Sequence, residues 1–401
     1  MRVYIITNEP IPNGMAATNR IKCYAKALIQ AKIQCEILVF TRTEIYGRKP
    51  KNIEGKGVFE SIPYRYIGGT PLRSKNIIIR QINDIRDKLA LILYLLINIR
   101  EGDIVLSFCG GNVDFINEVI KIVHRKGAKF VRELCELPYG TSVETSVKRK
   151  LRQKTLQKQF PICDGFIAIS QELVLLANDY KSSFAKVIKI PILVDYEKYD
   201  IPDMSSESKC SYIFHSGTLY EQKDGILGMI QAFGIASMKL SFPIYFISTG
   251  EIDKSPHALE IRNLIKKYNL EDKLYFTGYL TDDELKKYLS EASLVIINKY
   301  RTQQNRYCFS TKLAEYLAAG KPLIITNVGE AVKWLKNDES AYIIEPENIE
   351  LLSDKILEAF MDKEKRYSIG MKGKEVAQHS FDYRNYGMIM KDFFMSLYKI
   401  V

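Results

Sequence analysis

The residues best suited to chemistry lie between positions 305 and 325, which read Asn-Arg-Tyr-Cys-Phe-Ser-Thr-Lys-Leu-Ala-Glu-Tyr-Leu-Ala-Ala-Gly-Lys-Pro-Leu-Ile-Ile. Ser310 or Thr311 is a natural N-cap, and the spacing predicts a short helix over 312–319. Gly320 suits the left-handed position after the helix, Pro322 blocks its continuation, and a strand follows. Ser310 and Thr311 therefore mark a helix N-terminus at a loop, where unpaired N–H groups and the macrodipole favour an anion. Lys312 adds a full positive charge in the first turn, which opposes the dipole and is easier to accept if an anion sits there. Glu315, one turn further in, can accept two hydrogen bonds from a vicinal diol such as a ribose. By spacing alone, the same residues also fit a surface helix with scattered charges.

A second candidate is the run Phe214-His-Ser-Gly-Thr-Leu-Tyr-Glu-Gln-Lys-Asp-Gly225, at the end of a strand. Gly217 permits close backbone approach. Lys223, ahead of a helix over 226–236, can bind a diphosphate as a point charge or can be a solvated loop residue. In the first half, Pro10 to Arg20 follows the first strand and contains Gly14, Asn19 and Arg20. It has no GxGxxG and is not a dinucleotide fingerprint. Arg132-Glu-Leu-Cys-Glu-Leu-Pro-Tyr139 ends another strand. Glu133 or Glu136 there can orient an acceptor hydroxyl or act as a base, or one of them can pair with Arg132.

The Lys-x-x-Glu-Tyr-x-Ala-x-Gly-Lys-Pro run resembles the C-terminal signature of retaining glycosyltransferases of family 4, which have the GT-B fold. The resemblance extends over nearly the whole chain and is densest over 211–345. It gives Glu315 the role of the second Glu in a Glu-x7-Glu motif, holding the nucleotide ribose. The first Glu, over the donor sugar, falls at Tyr307. Gly217 and Lys223 match the loop that neutralises the leaving diphosphate, while Thr218 stands where the family has Arg. Lys312 is the expected substitute for that Arg. Phe276–Leu280, with Tyr279, resembles the turn that holds the nucleotide base. Pro10–Arg20 resembles the loop opening the N-terminal domain, with Gly14 toward the donor phosphates and Asn19 and Arg20 near the acceptor. Lys223 and Glu136 are the catalytic candidates, and Glu133 is assigned to the acceptor. The resemblance further implies metal-independent hexosyl transfer with retention, in which the leaving phosphate itself deprotonates the acceptor hydroxyl. No cofactor is expected beyond the nucleotide-sugar as co-substrate.

The elements that must position these groups are strands alternating with helices. Strands are predicted at 3–7, 35–40, 64–67, 103–108, 129–132 and 165–170, and again at 211–215, 244–249, 273–277, 294–298, 322–326 and 341–344. Helical patterns lie between them, including 19–31, 75–100 and 115–126. Thr281-Asp-Asp-Glu284 reads as a helix cap. Such alternation implies βαβ units and parallel sheets covered on both faces. The expected fold is α/β of GT-B type, with two doubly wound Rossmann-like domains facing a cleft. Residues 1–195 form the acceptor domain, 196–210 a linker and 211–382 the nucleotide-sugar domain. A last helix, about 383–401, returns to the first domain.

Of the 401 residues, 46% are hydrophobic and 26% charged, which excludes global disorder or a fibrous repeat. The net charge of +11 is uneven: residues 1–200 carry 32 Lys/Arg and 20 Asp/Glu, residues 201–401 carry 26 and 27. The excess belongs to the predicted acceptor half and points to an anionic partner. No base-readout or RNA-stacking module accompanies it, so nucleic acid is a poor explanation. Lys148 to Lys158 is a basic amphipathic stretch and Leu89–Ile99 a strongly apolar one. Both fit an anionic membrane surface, or ordinary helices packed on a core. Seven scattered cysteines with no CxxC suit a reducing compartment. The first residues are too short a run for a signal peptide. No Asp-x-Asp or HExxH occurs, and the four histidines share no ligand spacing.

These readings predict a cytoplasmic protein, peripheral on the inner membrane face, that transfers sugar to a saccharide acceptor, lipid-linked, in cell-surface polysaccharide synthesis. Two alternatives remain at the level of sequence. One is a nucleotide-sugar 2-epimerase of the same fold. The other is a catalytically silent, membrane-docked nucleotide-sugar-binding protein.

Overall fold

The computed structural model describes residues 1–108, 112–140, 144–204 and 210–399. Cys109 and most of the serine-rich part of the expected linker lie outside them. The chain divides into two compact units, Met1–Leu193 with Tyr383–Val401, and Val194–Asp382.

The first unit carries strands β1 Arg2–Thr7, β2 Gln34–Val39, β3 Lys56–Phe59, β4 Ile62–Tyr66, β5 Ile104–Ser107, β6 Lys129–Leu134, β7 Gly165–Ala168 and β8 Lys186–Lys189. Their order in the sheet is β3-β4-β2-β1-β5-β6-β7-β8, and only the β3–β4 pair is antiparallel. Helices α1 Ala16–Gln30, α2 Ile77–Asn98, α3 Val113–Arg125, α4 Ser146–Lys154 and α5 Gln171–Tyr180 supply the connections. The central strands are rich in Val, Ile and Leu and almost wholly buried, because helices cover both faces; β6 also buries Arg132 and Glu133. The helix Gly387–Ser396 packs on α1, placing Met390, Phe393 and Phe394 in one core with Tyr24, Leu28 and Ile37. Gly387 is needed there, since a Cβ would stand 2.3 Å from the Ala27 carbonyl oxygen.

The second unit has strands β9 Ser211–His215, β10 Ile244–Ser248, β11 Leu274–Phe276, β12 Leu294–Ile297, β13 Leu323–Thr326 and β14 Tyr342–Ile344. All pairs are parallel, in the order β11-β10-β9-β12-β13-β14. Its helices are α6 Tyr196–Tyr199, α7 Glu221–Asp224, α8 Ile226–Lys239, α9 Ala258–Lys267, α10 Asp282–Glu291, α11 Gln303–Tyr307, α12 Thr311–Ala318, α13 Ile349–Met361 and α14 Lys363–Ser380. Thr281 and Glu284 form the reciprocal capping box at the start of α10. The strand order reverses between β9 and β12, the point at which open α/β sheets bind ligands beyond the strands' carboxyl ends.

Three features differ from the sequence-based expectation. Strands β3 and β8 are additions at the two edges, where burial is incomplete and the apolar signal is weak. The first nine residues of the expected linker belong to the second unit. Tyr199 is buried there, and Asp203 meets the Lys321 ammonium at 2.6 Å. That ammonium is almost wholly buried and also donates to the carbonyls of Ser290 and Ala292, so the segment supplies its counter-charge.

Candidate functional site

The loop after β9 is tied down at every residue from Ser216 to Thr218. The Ser216 amide donates to the Tyr316 hydroxyl of α12 at 2.7 Å, and the two hydroxyls lie 2.9 Å apart. The Gly217 amide donates to Thr249 Oγ1, which donates back to the Gly217 carbonyl. The Thr218 amide and hydroxyl both donate to Asp224 Oδ2, at 3.1 and 2.9 Å. Gly225 then takes the left-handed conformation that separates α7 from α8. Three side chains, Tyr316, Thr249 and Asp224, thus fix this loop at the strand-order reversal.

Behind it lies a charge cluster. Asp224 Oδ1 is 2.6 Å from Lys312 Nζ and 3.8 Å from Lys299 Nζ, with only 2% of the aspartate side chain exposed. Burial works against the Asp224 charge, but Lys312, then His215 and Lys299, hold its carboxyl well below the usual range. Burial, then repulsion from Lys312, bring the Lys299 ammonium down to about 8. His215 is buried, and its Nδ1 faces the Ile296 carbonyl at 3.3 Å. A carbonyl only accepts, so Nδ1 carries the proton and Nε2 is a bare acceptor with no hydrogen-bond partner among the described residues. Burial and then Lys312 bring this imidazole down to about 3, so it stays neutral. A Cβ at Gly217 would stand 2.4 Å from His215 Nε2, 2.8 Å from Lys312 Nζ and 3.0 Å from Asp224 Oδ2. Glycine is required because the cluster fills the space a side chain would take.

Helix α12 starts at Ser310 with no side-chain cap; of its first-turn amides, that of Leu313 donates to the Ser310 carbonyl at 3.1 Å, and no side chain caps those of Thr311 and Lys312. Lys312 sits in that turn, and Asp224 compensates its unfavourable charge. One turn on, Glu315 keeps part of its surface accessible while its carboxyl is surrounded by protein atoms. Burial pushes it up to about 7, against a hydrogen bond from Tyr199 and the charge of Lys198. Lys223 is exposed, and its carbonyl accepts from Lys299 Nζ. Thr218 is exposed beside it. Tyr279 is 59% exposed and follows the left-handed Gly278, which bridges Gly250 across the neighbouring strand end. Tyr307 ends α11 and is partly exposed.

The expected residues Gly217, Lys312 and Asp224's neighbours Thr218 and Lys223 therefore meet in one place, with Ser310 and Thr311 at the adjoining helix start. Asp224, Lys299 and His215 are additions. Asp224 lies in the Gly217–Gly225 run, where the sequence alone points to its neighbour Lys223. Lys299 lies two residues beyond β12, and its place after a strand was its only signal.

In the first unit, Gly14 lies in the loop between β1 and α1. A Cβ there would collide with Thr18 Oγ1, which donates to the Pro10 carbonyl at 2.7 Å. Asn19 is in the first turn of α1, one position before Arg20. Arg20 Nε is 3.0 Å from Glu133 Oε1, and 2% of the glutamate side chain is exposed. The contact is an ion pair with poor hydrogen-bond angles, which leaves both atoms without a hydrogen bond. Burial pushes the Glu133 carboxyl up, and Arg20 opposes this. The partner of Glu133 is thus Arg20. Arg132 lies over the Phe160 ring, because adjacent strand residues face opposite ways. Glu136 is exposed. No group of three or more His, Cys, Asp or Glu among the described residues has metal-binding geometry.

Residues 201–376 match the family model for glycosyl transferases group 1. No curated protein matches the chain significantly. Among solved structures, sucrose-phosphate synthase from Thermosynechococcus elongatus superposes with a TM-score of 0.74 at 15% identity, over 99% of each chain. A glycosyltransferase from Rickettsia africae gives 0.69 at 16% identity, over 100% of this chain and 99% of that one. HepE from Anabaena, in complex with UDP-glucose, gives 0.70 at 14% identity, over 99% of this chain and 100% of that one. What is shared is the GT-B fold of two Rossmann-like parallel-sheet domains. Together the matches support a glycosyltransferase.

Proposed function

We propose that the chain is a retaining glycosyltransferase that moves a hexose from a nucleotide-diphosphate donor to a saccharide acceptor, without a metal. The observation that carries this reading is the lysine cluster at the strand-order reversal of the second sheet, beside an uncapped helix start and Glu315. Lys299 and Lys312 face the place where a diphosphate would lie, with Lys223 on the same loop. The α12 N–H groups add fixed positive dipole. Glu315 accepts the ribose hydroxyls. In the transfer, the bond from the sugar's anomeric carbon to the phosphate oxygen breaks and its electrons go to the diphosphate. The acceptor oxygen bonds to that carbon on the same face, and its proton passes to the leaving phosphate oxygen. Electrostatic stabilisation of the leaving group is then the protein's main contribution. The structurally similar HepE was solved with UDP-glucose, which supports a nucleotide-sugar donor.

The acceptor reading assigns Asn19, Arg20 and Glu133 to the first unit. The buried Arg20–Glu133 pair positions that end of α1, and a lipid-linked saccharide fits the positive excess of this half. The protein then works at the cytoplasmic face of an anionic membrane, in surface polysaccharide synthesis.

The test is a thermal-shift series with UDP, GDP and ADP on the full chain and on Lys312→Ala. One nucleotide is expected to raise the melting temperature, as ligand binding must by mass action, and Lys312→Ala should lose most of the shift. No shift with any nucleotide refutes the donor site. Incubating a donor sugar without acceptor separates transfer from epimerisation, since only an epimerase yields a new nucleotide-sugar.

A further inference from the structure

Helix α2 presents two opposite faces. It buries only Asn83, Asp87, Leu91 and Leu95, at steps of four along one side. On the far side Ile78, Ile82, Ile85, Leu89, Leu93 and Leu96 follow at steps of three and four, each between 39 and 62% exposed. With 22 residues the helix is about 33 Å long. The stripe runs along about 27 Å of it, and a continuous exposed aliphatic patch of this kind marks an interaction surface.

The charges beside the stripe indicate what covers it. Arg86 flanks it on one side and Lys88 on the other, with Arg80 near the helix start. Asp87 is buried and already paired with Arg42 and Arg86. Asp84 is the one exposed acidic residue of the helix, and it lies toward the buried side. Two copies pairing along the stripe would bring Lys88 and the exposed Arg86 toward their own counterparts with no exposed acid of the helix other than Asp84, since Asp87 is buried. An anionic surface is satisfied by the same groups.

A second basic element stands next to it. Helix α4 buries no residue and reads Ser-Val-Lys-Arg-Lys-Leu-Arg-Gln-Lys. Lys154 of α4 meets Asp114 at 2.5 Å, while Lys88 of α2 lies 5.8 Å from the Phe115 ring centroid. Both helices therefore flank the start of α3, and the basic helix lies beside the apolar stripe. No helix among the described residues is long and apolar enough to cross a membrane.

We propose that the outer stripe of α2 lies in the plane of an anionic bilayer, its aliphatic side chains below the headgroups, with Arg86, Lys88 and α4 against the phosphates. This names the docking surface for the membrane partner proposed above and rests on that reading. Interfacial helices of this kind combine apolar insertion with attraction to anionic lipid.

The experiment is sedimentation of the full chain with vesicles of phosphatidylcholine alone and of phosphatidylcholine with phosphatidylglycerol. Two variants accompany it, Ile82→Ser/Leu89→Ser/Leu93→Ser and Arg86→Gln/Lys88→Gln. The wild type should bind the anionic vesicles, the stripe variant about tenfold less or weaker, and the charge variant should lose the preference for anionic lipid. All three residues of the stripe variant are exposed, so its melting temperature and nucleotide-induced shift should be unchanged. Three outcomes overturn the proposal: no vesicle binding by the wild type, binding that survives the stripe variant, or a dimer in light scattering that the stripe variant dissolves. Because the nucleotide shift is read separately, a failure of docking and a failure of the donor site are distinguishable.

Discussion

Replacing Glu315 by Gln should make the unliganded protein more stable while weakening nucleotide binding. Burial raises the Glu315 carboxyl from 4.5 to about 7. Between those values the folded state holds a proton that the unfolded chain has released. Stability therefore falls as pH rises through that window and levels off above about pH 7. At about 1.36 kcal/mol per unit, the shift corresponds to about 3 kcal/mol at most. Solvent reaches part of the residue, which brings the expected effect to about 2 kcal/mol. Gln has the same size and can still accept from the Tyr199 hydroxyl. Glu315→Gln should thus melt about 4–8 °C above wild type near pH 8. The two proteins should converge near pH 4.5, the unfolded value of the carboxyl. Loss of the charge-assisted bonds to a ribose should weaken the nucleotide about tenfold. Paired melting curves across that pH range, with and without nucleotide, read both effects. A variant no more stable than wild type near pH 8, or stabilised equally at every pH, would refute the reasoning.

Two further outcomes follow from the charge cluster. Asp224→Asn leaves Lys312 and Lys299 without a counter-charge beside His215 and should cost about 3 kcal/mol in denaturant unfolding. The Asp224 carboxyl is depressed in the folded state, so this penalty should be full above about pH 4, the unfolded value, and shrink in stronger acid. Lys299, brought down to about 8, loses its charge as pH rises through that value. Nucleotide affinity, followed by calorimetric titration, should fall across the same window, and Lys299→Met should flatten the profile.

Sequence periodicity was sufficient for the alternation of strands and helices, because buried parallel strands are continuous apolar runs such as Leu294–Ile297. It missed β3, which is mostly exposed, and β8, which is only partly buried, because such strands carry little of that signal. Within the candidate site, the helix start at Ser310 and the positions of Lys312 and Glu315 on that helix were legible because helix turns are local patterns. Asp224 was not, since its meaning comes from Lys312, 88 positions away. The Arg20–Glu133 pair was hidden for the same reason: Glu133 has an arginine beside it in sequence, and the strand's alternation turns that one away.

The cluster also bears on the threonine at 218, where the resembled family carries arginine. Thr218 donates both its amide and its hydroxyl to Asp224, and the same carboxylate holds Lys312 and nears Lys299. With Lys223 exposed on the loop, three ammonium groups stand against one carboxylate, and His215 is neutral. Among these four groups two net positive charges remain, which would offset the two negative charges of a diphosphate esterified at both ends. The positive charge that an arginine would bring is therefore present in the lysines that Asp224 gathers. On this reading the aspartate does not compete with the ligand; it fixes Lys312 and Lys299 in place and leaves their surplus charge for the phosphates. For the proposed transfer, departure of a diphosphate would then have an electrostatic basis in side chains that converge only once the second sheet has formed.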